Sequence, residues 1–156
     1  MKIESLERVL REHALTQGLQ EAQIRFITGC AKNARFSTGE YLFHEGDPSN
    51  ELYLVRSGRI SLEIDVPPRG IVEIETVGAG DVFGASAMCP PFRWHVDARA
   101  TETTLAIELD GECLRNKCAA DPALGYALMQ RLLSDLARRL VRARLQQLDV
   151  YRSEAG

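Results

Sequence analysis

Phe43-His44-Glu45-Gly46-Asp47-Pro48-Ser49-Asn50-Glu51-Leu52-Tyr53-Leu54-Val55-Arg56-Ser57-Gly58-Arg59-Ile60 packs two turn signals around an apolar run. Gly46 and Asp47 open the first turn, where glycine tolerates a backbone that other residues avoid. Gly58 closes a hairpin at which a side chain would be strained. Between them residues 51–56 read as a strand. Working outward, residues 41–44, 59–66 and 71–77 carry β-branched and aromatic residues punctuated by Gly, Pro, Asp and Asn, and read as further strands. Within Ile60-Ser61-Leu62-Glu63-Ile64-Asp65 and Ile71-Val72-Glu73-Ile74-Glu75 apolar and polar residues alternate, which predicts one buried and one wet face. Pro67-Pro68-Arg69-Gly70 is the predicted hairpin connection, and residues 95–102 and 104–109 are two more predicted strands.

Helices flank this β-rich middle. Residues 2–13 place Ile3, Leu6, Val9, Leu10 and His13 at helical spacing, and residues 20–31 do the same with Ala22, Phe26, Ile27 and Cys30. Asp110 is placed to cap a short helix running to about residue 118, and Asp121-Pro122 starts a long final one. That last helix spaces Met129, Leu133, Leu136, Leu140, Ala143, Gln147 and Val150 alternately by four and three, a coiled-coil seam with one polar member. Leu124, Leu128, Leu132 and Leu145 widen its apolar face. A helix of roughly 25 residues is about 38 Å long, more than a small roll covers. Homodimerisation through residues 123–150 is therefore expected. Arg131, Arg138, Arg139, Arg142 and Arg144 are read as a solvated face with covering stems rather than a nucleic-acid contact.

At 156 residues and 45% hydrophobic content the chain suits one core. The expected organisation is a single domain over 1–156, with N-terminal helices in 2–31, strands in 33–109 and C-terminal helices in 110–150. A net charge of -3 argues against a general nucleic-acid binder. The N-terminus lacks the basic start and apolar run of a signal peptide, and no segment reads as a membrane span, so a cytoplasmic location is expected. Cys30, Cys89, Cys113 and Cys118 show no metal-ligand spacing and are expected as reduced thiols.

Followed by Gly80-Asp81-Val82-Phe83-Gly84, the opening stretch resembles the cyclic nucleotide-binding domain found in catabolite activator-type regulators, kinases and channels. The resemblance covers roughly residues 15–150 and implies an α+β fold: an antiparallel β-roll, also described as a double-stranded β-helix or jelly roll, flanked by the N-terminal helices and the long C-terminal helix. In the catabolite activator type that helix leads into a helix-turn-helix, whereas this sequence stops at Gly156 soon after it. No direct contact with nucleic acid is expected.

The family holds its ligand in a phosphate-binding cassette that begins Phe-Gly-Glu and ends Pro-Arg-x-Ala. Here the cassette reads Phe83-Gly84-Ala85-Ser86-Ala87-Met88-Cys89-Pro90-Pro91-Phe92-Arg93-Trp94-His95-Val96. The resemblance implies that Glu accepts the ribose 2′-hydroxyl and Arg pairs with the cyclic phosphate. Ala85 stands in the Glu position and Trp94 falls in the Arg position, with Arg93 one residue early. Strand alternation puts Trp94, Val96, Ala98 and Ala100 inward, and Arg93, His95, Asp97 and Arg99 outward. Losing one partner of a desolvated charge pair costs about 2–5 kcal/mol, roughly 30-fold to several-thousand-fold in affinity. Tight binding of cAMP or cGMP is not expected. Backbone N–H groups at Ala85, Ser86 and Ala87, with the Ser86 hydroxyl, offer a second way to hold a cyclic nucleotide or other small anion.

Three functions follow: a stand-alone ligand sensor with a modified pocket; a non-sensing interaction subunit that docks a protein partner on the roll, using the row Arg93, His95 and Arg99; and a cAMP or cGMP binder in which Arg93 turns in to the phosphate. No cofactor and no metal are expected. Cys113 and Cys118 point to different helix faces, so no iron-sulfur cluster or zinc site is indicated, and His44 and His95 do not amount to a haem site. The glycines of Gly78-Ala79-Gly80-Asp81-Val82-Phe83-Gly84 mimic a dinucleotide fingerprint but lack its long following helix. With no nucleophile-base pair and no paired carboxylates at a loop, an enzyme is not expected.

Overall fold

The computed structural model describes residues 3–155, and the side chains of 3–5, 150, 151, 154 and 155 lie outside the described set, as do Lys2 of the first expected helix and the side chain of the seam position Val150. The elements run α1 (Ile3–Glu12), a 3-10 turn (Ala14–Thr16), α2 (Glu21–Thr28), β1 (Ala31–Phe36), β2 (Tyr41–Phe43), β3 (Glu51–Ser57), β4 (Arg59–Val66), β5 (Gly70–Gly78) and β6 (Val82–Phe83). A second 3-10 turn (Ala85–Met88), β7 (Asp97–Ala100), β8 (Thr104–Asp110), α3 (Gly111–Ala120) and α4 (Pro122–Ala155) complete the chain.

Two four-stranded antiparallel sheets form the roll, in the orders β1-β8-β3-β6 and β2-β7-β4-β5. β3 belongs to both of the molecule's cores. Its Leu52 and Leu54 join Leu10, Ile27, Ile107, Leu109, Leu114, Leu124 and Leu128 between the first sheet and the helices. Its Tyr53 and Val55 face the roll interior with Phe43, Ile60, Leu62, Val77, Phe83, Trp94 and Ala98. Each such side chain contributes about 1.5–3 kcal/mol by leaving water, which explains why residues 52–55 are a continuous apolar run. At Gly58, φ is +96° and an added Cβ would lie 2.4 Å from the Thr103 carbonyl oxygen, so the hairpin between β3 and β4 admits only glycine.

Several sequence expectations shift. His13 lies beyond α1 and caps the first 3-10 turn, its Nδ1 accepting from the Leu15 N–H at 3.2 Å. Cys30 lies after α2 rather than on it, and β1 is a strand where only residues from 33 onward were expected in the roll. The expected wet face of β4 is closed at Ser61 and Glu63, which are buried. Arg99 of β7, the register partner of Ser61, pairs with Glu63 there and covers the polar row. On β5, by contrast, Ile71 and Ile74 are exposed, because this edge strand outruns the core.

Asp110 caps α3 through Cys113 N–H (2.8 Å), as expected, and Asp121 accepts from Leu124 N–H at 3.2 Å ahead of Pro122. Leu124, Leu128 and Leu132, four apart, bury one stripe of α4 against the core, while Leu145, read with them as widening the apolar face, is 57% exposed. Of the α4 arginines, Arg138 and Arg144 are exposed as expected, but not all five form a solvated face. Arg139 is buried, and Arg131 donates to the Gln17 carbonyl at 2.8 Å, tying α4 to the first 3-10 turn.

The expectation of four reduced thiols is corrected at one pair: Cys30 and Cys113 form a disulfide, their Cα atoms 5.7 Å apart, while Cys89 and Cys118 are free. The ladder between β1 and β8 brings them together, since Ala31 opposes Leu109 and Asp110 N–H donates to the Cys30 carbonyl at 2.9 Å. The bond closes a loop with a sequence separation of 83, and chain-entropy arguments assign such a cross-link about 2–4 kcal/mol. Reducing it is expected to lower the midpoint of thermal unfolding by on the order of 10 °C, read by calorimetry with and without reductant. An unchanged midpoint contradicts this.

Candidate functional site

The cassette starts where β6 pairs with β3, Phe83 opposite Tyr53 and Val82 opposite Leu54. Gly84 then turns with φ +100°, so tightly that an added Cβ would lie 2.7 Å from the Glu51 carbonyl oxygen and 2.9 Å from the Trp94 ring. Ala85, Ser86 and Ala87 form the 3-10 turn. The Ala87 N–H is engaged by the Gly84 carbonyl (2.9 Å), and the Ser86 hydroxyl bonds the Ser49 hydroxyl at 2.8 Å. Two of the groups expected to greet an anion are thus already partnered inside the protein.

Backbone pairing sets the direction of the next side chains. Ser49 N–H donates to the Phe92 carbonyl (2.8 Å), Trp94 N–H to the Asp47 carbonyl (3.0 Å), and Gly46 N–H to the Trp94 carbonyl (2.8 Å). This short antiparallel stretch forces alternation. Trp94 points into the roll and is 6% exposed, whereas Arg93 and His95 are exposed. Val96 is half-buried against the interior cluster. The indole stacks on Phe43 with ring centroids 3.4 Å apart and an angle of 6°, and Tyr53 stacks on Phe83 at 4.9 Å and 10°. Burial, reinforced by Glu108 and Glu51, pushes the Tyr53 phenol well above its ordinary range, so it stays neutral.

Arg93 lies on the outer surface, its guanidinium donating to the Gly46 carbonyl at 3.1 Å. With Arg115 it lines a surface depression of about 580 Å³ that also holds Glu51, Asp110 and Glu112. Arg115 sits 4.3 Å over the Phe92 ring and donates to the Ala87 carbonyl. Arg99, expected in the exposed row with Arg93 and His95, is instead tied to Glu63 by bonds of 3.2 and 2.8 Å. Among the described residues no three His, Cys, Asp or Glu side chains gather to hold a metal ion.

The sequence reading missed a cluster of charges between the roll and α4. Arg139 makes two bonds to Glu75 (2.6 and 3.0 Å) and one to the Val82 carbonyl (2.6 Å), directly beside the cassette. Arg138 and Arg142 reach Asp81 at 3.5 and 3.3 Å. Asp81 in turn accepts from Gly78 N–H at 2.9 Å. Removing one partner of such a buried pair costs about 3–5 kcal/mol because the other charge is stranded. Arginines at 138, 139 and 142 share one side of a helix, and that spacing beside the acidic turn was the available signal.

Residues 34–121 match the family described as the cyclic nucleotide-binding domain. The chain belongs to the cyclic nucleotide-binding domain family. A curated relative, the CRP-like cAMP-activated global transcriptional regulator of Mycobacterium tuberculosis, is 26% identical over 137 residues, covering 88% of this chain and 59% of the relative, so the chain spans less than two thirds of that protein's length. A solved cyclic nucleotide-binding domain from Methylobacillus flagellatus superposes with a TM-score of 0.79 at 24% identity, over 94% of this chain and 83% of its own, a likeness of fold. The Thermus thermophilus Catabolite Activator Protein gives 0.68 at 26% identity, over 88% of this chain and 62% of its own. The β-roll and long helix of the family are the architecture described above.

Glu63 supplies a pH test of the clamp on β7, the strand that leaves this family's cassette. The hydrogen bond from Arg99 holds its carboxyl below the ordinary 4.5, against the opposing effect of burial. A carboxyl with a depressed folded pKa contributes stability above its unfolded value and loses it as pH falls through the folded one. Denaturant midpoints are therefore expected to drop below about pH 4.5, and Glu63→Gln is expected to flatten that part of the profile. A variant with an unaltered acid limb speaks against the clamp.

Proposed function

We propose that the chain is a regulatory module whose modified pocket does not hold cAMP or cGMP tightly, and that it pairs with a second copy along α4. The observation that carries the first half is Trp94, stacked on Phe43 inside the roll while Arg93 points out. Ala85 has no acceptor to offer a ribose hydroxyl. Turning Arg93 inward would require breaking the pairing of residues 46–49 with 92–94, three backbone hydrogen bonds, and expelling the indole. Trp94 is the single tryptophan of the chain, so its emission reports on the pocket. Titration with cAMP and cGMP is expected to give no saturable change below about 1 mM, the loss a missing phosphate partner implies. Saturation at micromolar ligand overturns the proposal and favours the Arg93 reading, in which Arg93→Ala abolishes the response.

Regulators similar to this chain, such as the cAMP-activated one from Mycobacterium tuberculosis, lend support to a regulatory role rather than an enzymatic one. The interaction-subunit reading draws on Arg93 and His95, both exposed, but no longer on Arg99, which Glu63 occupies.

Pairing along α4 is supported by the seam itself. Leu133 is 69% exposed and Leu140 52%, with Leu136 between them and Met129 before them also exposed, on a helix of 34 residues that is about 51 Å long. Soluble proteins rarely leave such a stripe in water. Sedimentation of the wild type is expected to show a dimer. Leu133→Glu with Leu140→Glu is expected to weaken it by about 100-fold or more, since burying a charge in an apolar seam forfeits at least the worth of two leucines. A wild type that stays monomeric at high micromolar concentration removes this half of the proposal.

A further inference from the structure

We propose that the Cys30–Cys113 pair is a thiol–disulfide exchange site for small thiols and disulfides of the glutathione class, and that its redox state sets how firmly α3 holds the cassette. The pair bridges the helix-side core and the surface: Cys30 belongs to that core, and Cys113 packs against it while lining surface depressions. Cys30 is 7% exposed and Cys113 is half-buried. Both sulfurs' residues, with Lys32 and the carboxylates Glu51, Glu108 and Asp110, form the wall of a depression of about 350 Å³, in which Lys32 pairs with Glu108 at 3.1 Å. Cys113 also borders a second depression of about 470 Å³ with Phe26 and Lys117. Disulfides that a thiolate can reach are the labile ones, whereas permanent cross-links are shielded.

The chemistry closes on these residues. A thiolate attacks the Cys113 sulfur, a mixed disulfide forms there, and the S–S bond breaks with its electron pair leaving on Cys30, which takes a proton from water in the depression. A second thiolate attacks the small-molecule sulfur of the mixed disulfide and releases the Cys113 thiolate, which is protonated in turn. Two small thiols are oxidised to one disulfide and the protein gains two electrons and two protons. Oxidised glutathione drives the same steps backward.

α3 carries the result to the cassette, because one short stretch of it touches both. Cys113 lies in its first turn. Two residues earlier, Gly111 donates to the Asn50 carbonyl at 2.7 Å and approaches Ala87 so closely that a Cβ would lie 3.1 Å from the Ala87 carbonyl oxygen. Two residues later, Arg115 donates to that same Ala87 carbonyl and covers Phe92. With the disulfide formed, this turn is tied covalently to the end of α2 and the start of β1. With it reduced, only non-covalent ties hold the turn: the Asp110 cap, the Gly111 and Arg115 hydrogen bonds and the packing of Leu114. The pair does not touch the Trp94 stack, so the mechanism is independent of whether any nucleotide binds.

The test uses the whole chain with Cys89→Ser and Cys118→Ser, which removes the two free thiols, and the wild type with alkylated cysteines mapped by mass spectrometry serves in case the double variant folds poorly. Protein is equilibrated in graded mixtures of reduced and oxidised glutathione, quenched with an alkylating reagent, and followed by amide hydrogen exchange in both end states. Residues 30 and 113 are expected to pass reversibly from unalkylated to alkylated as the mixture becomes reducing. On reduction, exchange over residues 85–88 and 111–120 is expected to quicken about 10-fold or more while β4 is unaffected, as local opening predicts. A pair that stays oxidised in fully reduced glutathione, one that never oxidises, or a reversible pair whose reduction leaves residues 85–88 unchanged overturns the proposal.

Discussion

Strand β3 is the wall that both cores share, and the rest of the molecule is arranged around its alternation. Leu52 and Leu54 feed the layer of helices, Tyr53 and Val55 the interior of the roll. A one-residue slip would exchange those two sets, sending a tyrosine among the aliphatic side chains and a leucine into the aromatic stack. The turns at either end prevent it. Gly58 accepts no side chain, and Asn50, just before the strand, receives the Gly111 N–H. Register, hairpin and helix docking are therefore one constraint, and the cassette inherits it because β6 pairs directly on β3.

The cassette is where the family's architecture and this chain's chemistry part. A glycine-led turn, a short helical turn and a returning strand are all in place, yet aromatic side chains fill the interior they enclose. Phe43, Tyr53, Phe83 and Trp94 stack in two nearly parallel pairs. Such packing is worth about 0.5–1.5 kcal/mol per pair beyond the area buried. Arg93, one residue before Trp94, lies outside, its guanidinium on the Gly46 carbonyl.

How much of this was legible in the sequence divides along physical lines. Glycine turns and alternation within a strand are local, so residues 43–60 disclosed the roll, and Trp94 inward with Arg93 outward followed from period-two geometry. That Leu124, Leu128 and Leu132 are apolar was plain, but not that they bury against the roll instead of widening a seam between copies. What stayed hidden depends on contacts far apart in the chain. Cys30 and Cys113 are separated by 83 residues, and nothing in either neighbourhood names the other. Arg99 looked exposed until Glu63 was found opposite, and Arg139 looked solvated until Glu75 and the Val82 carbonyl closed on it.

Arg139 has a mechanical consequence. A helix held by greasy contacts alone can creep along its neighbour in small increments, because one methyl replaces another at little cost. A guanidinium clasped on three sides cannot. Any slide or roll of α4 that drew it away from Glu75 within the interface would strand two opposite charges short of both partner and water, at a cost of about 3–5 kcal/mol. The helix is thus indexed like a notched shaft, with Arg139 as the tooth that fixes its position along and about its axis.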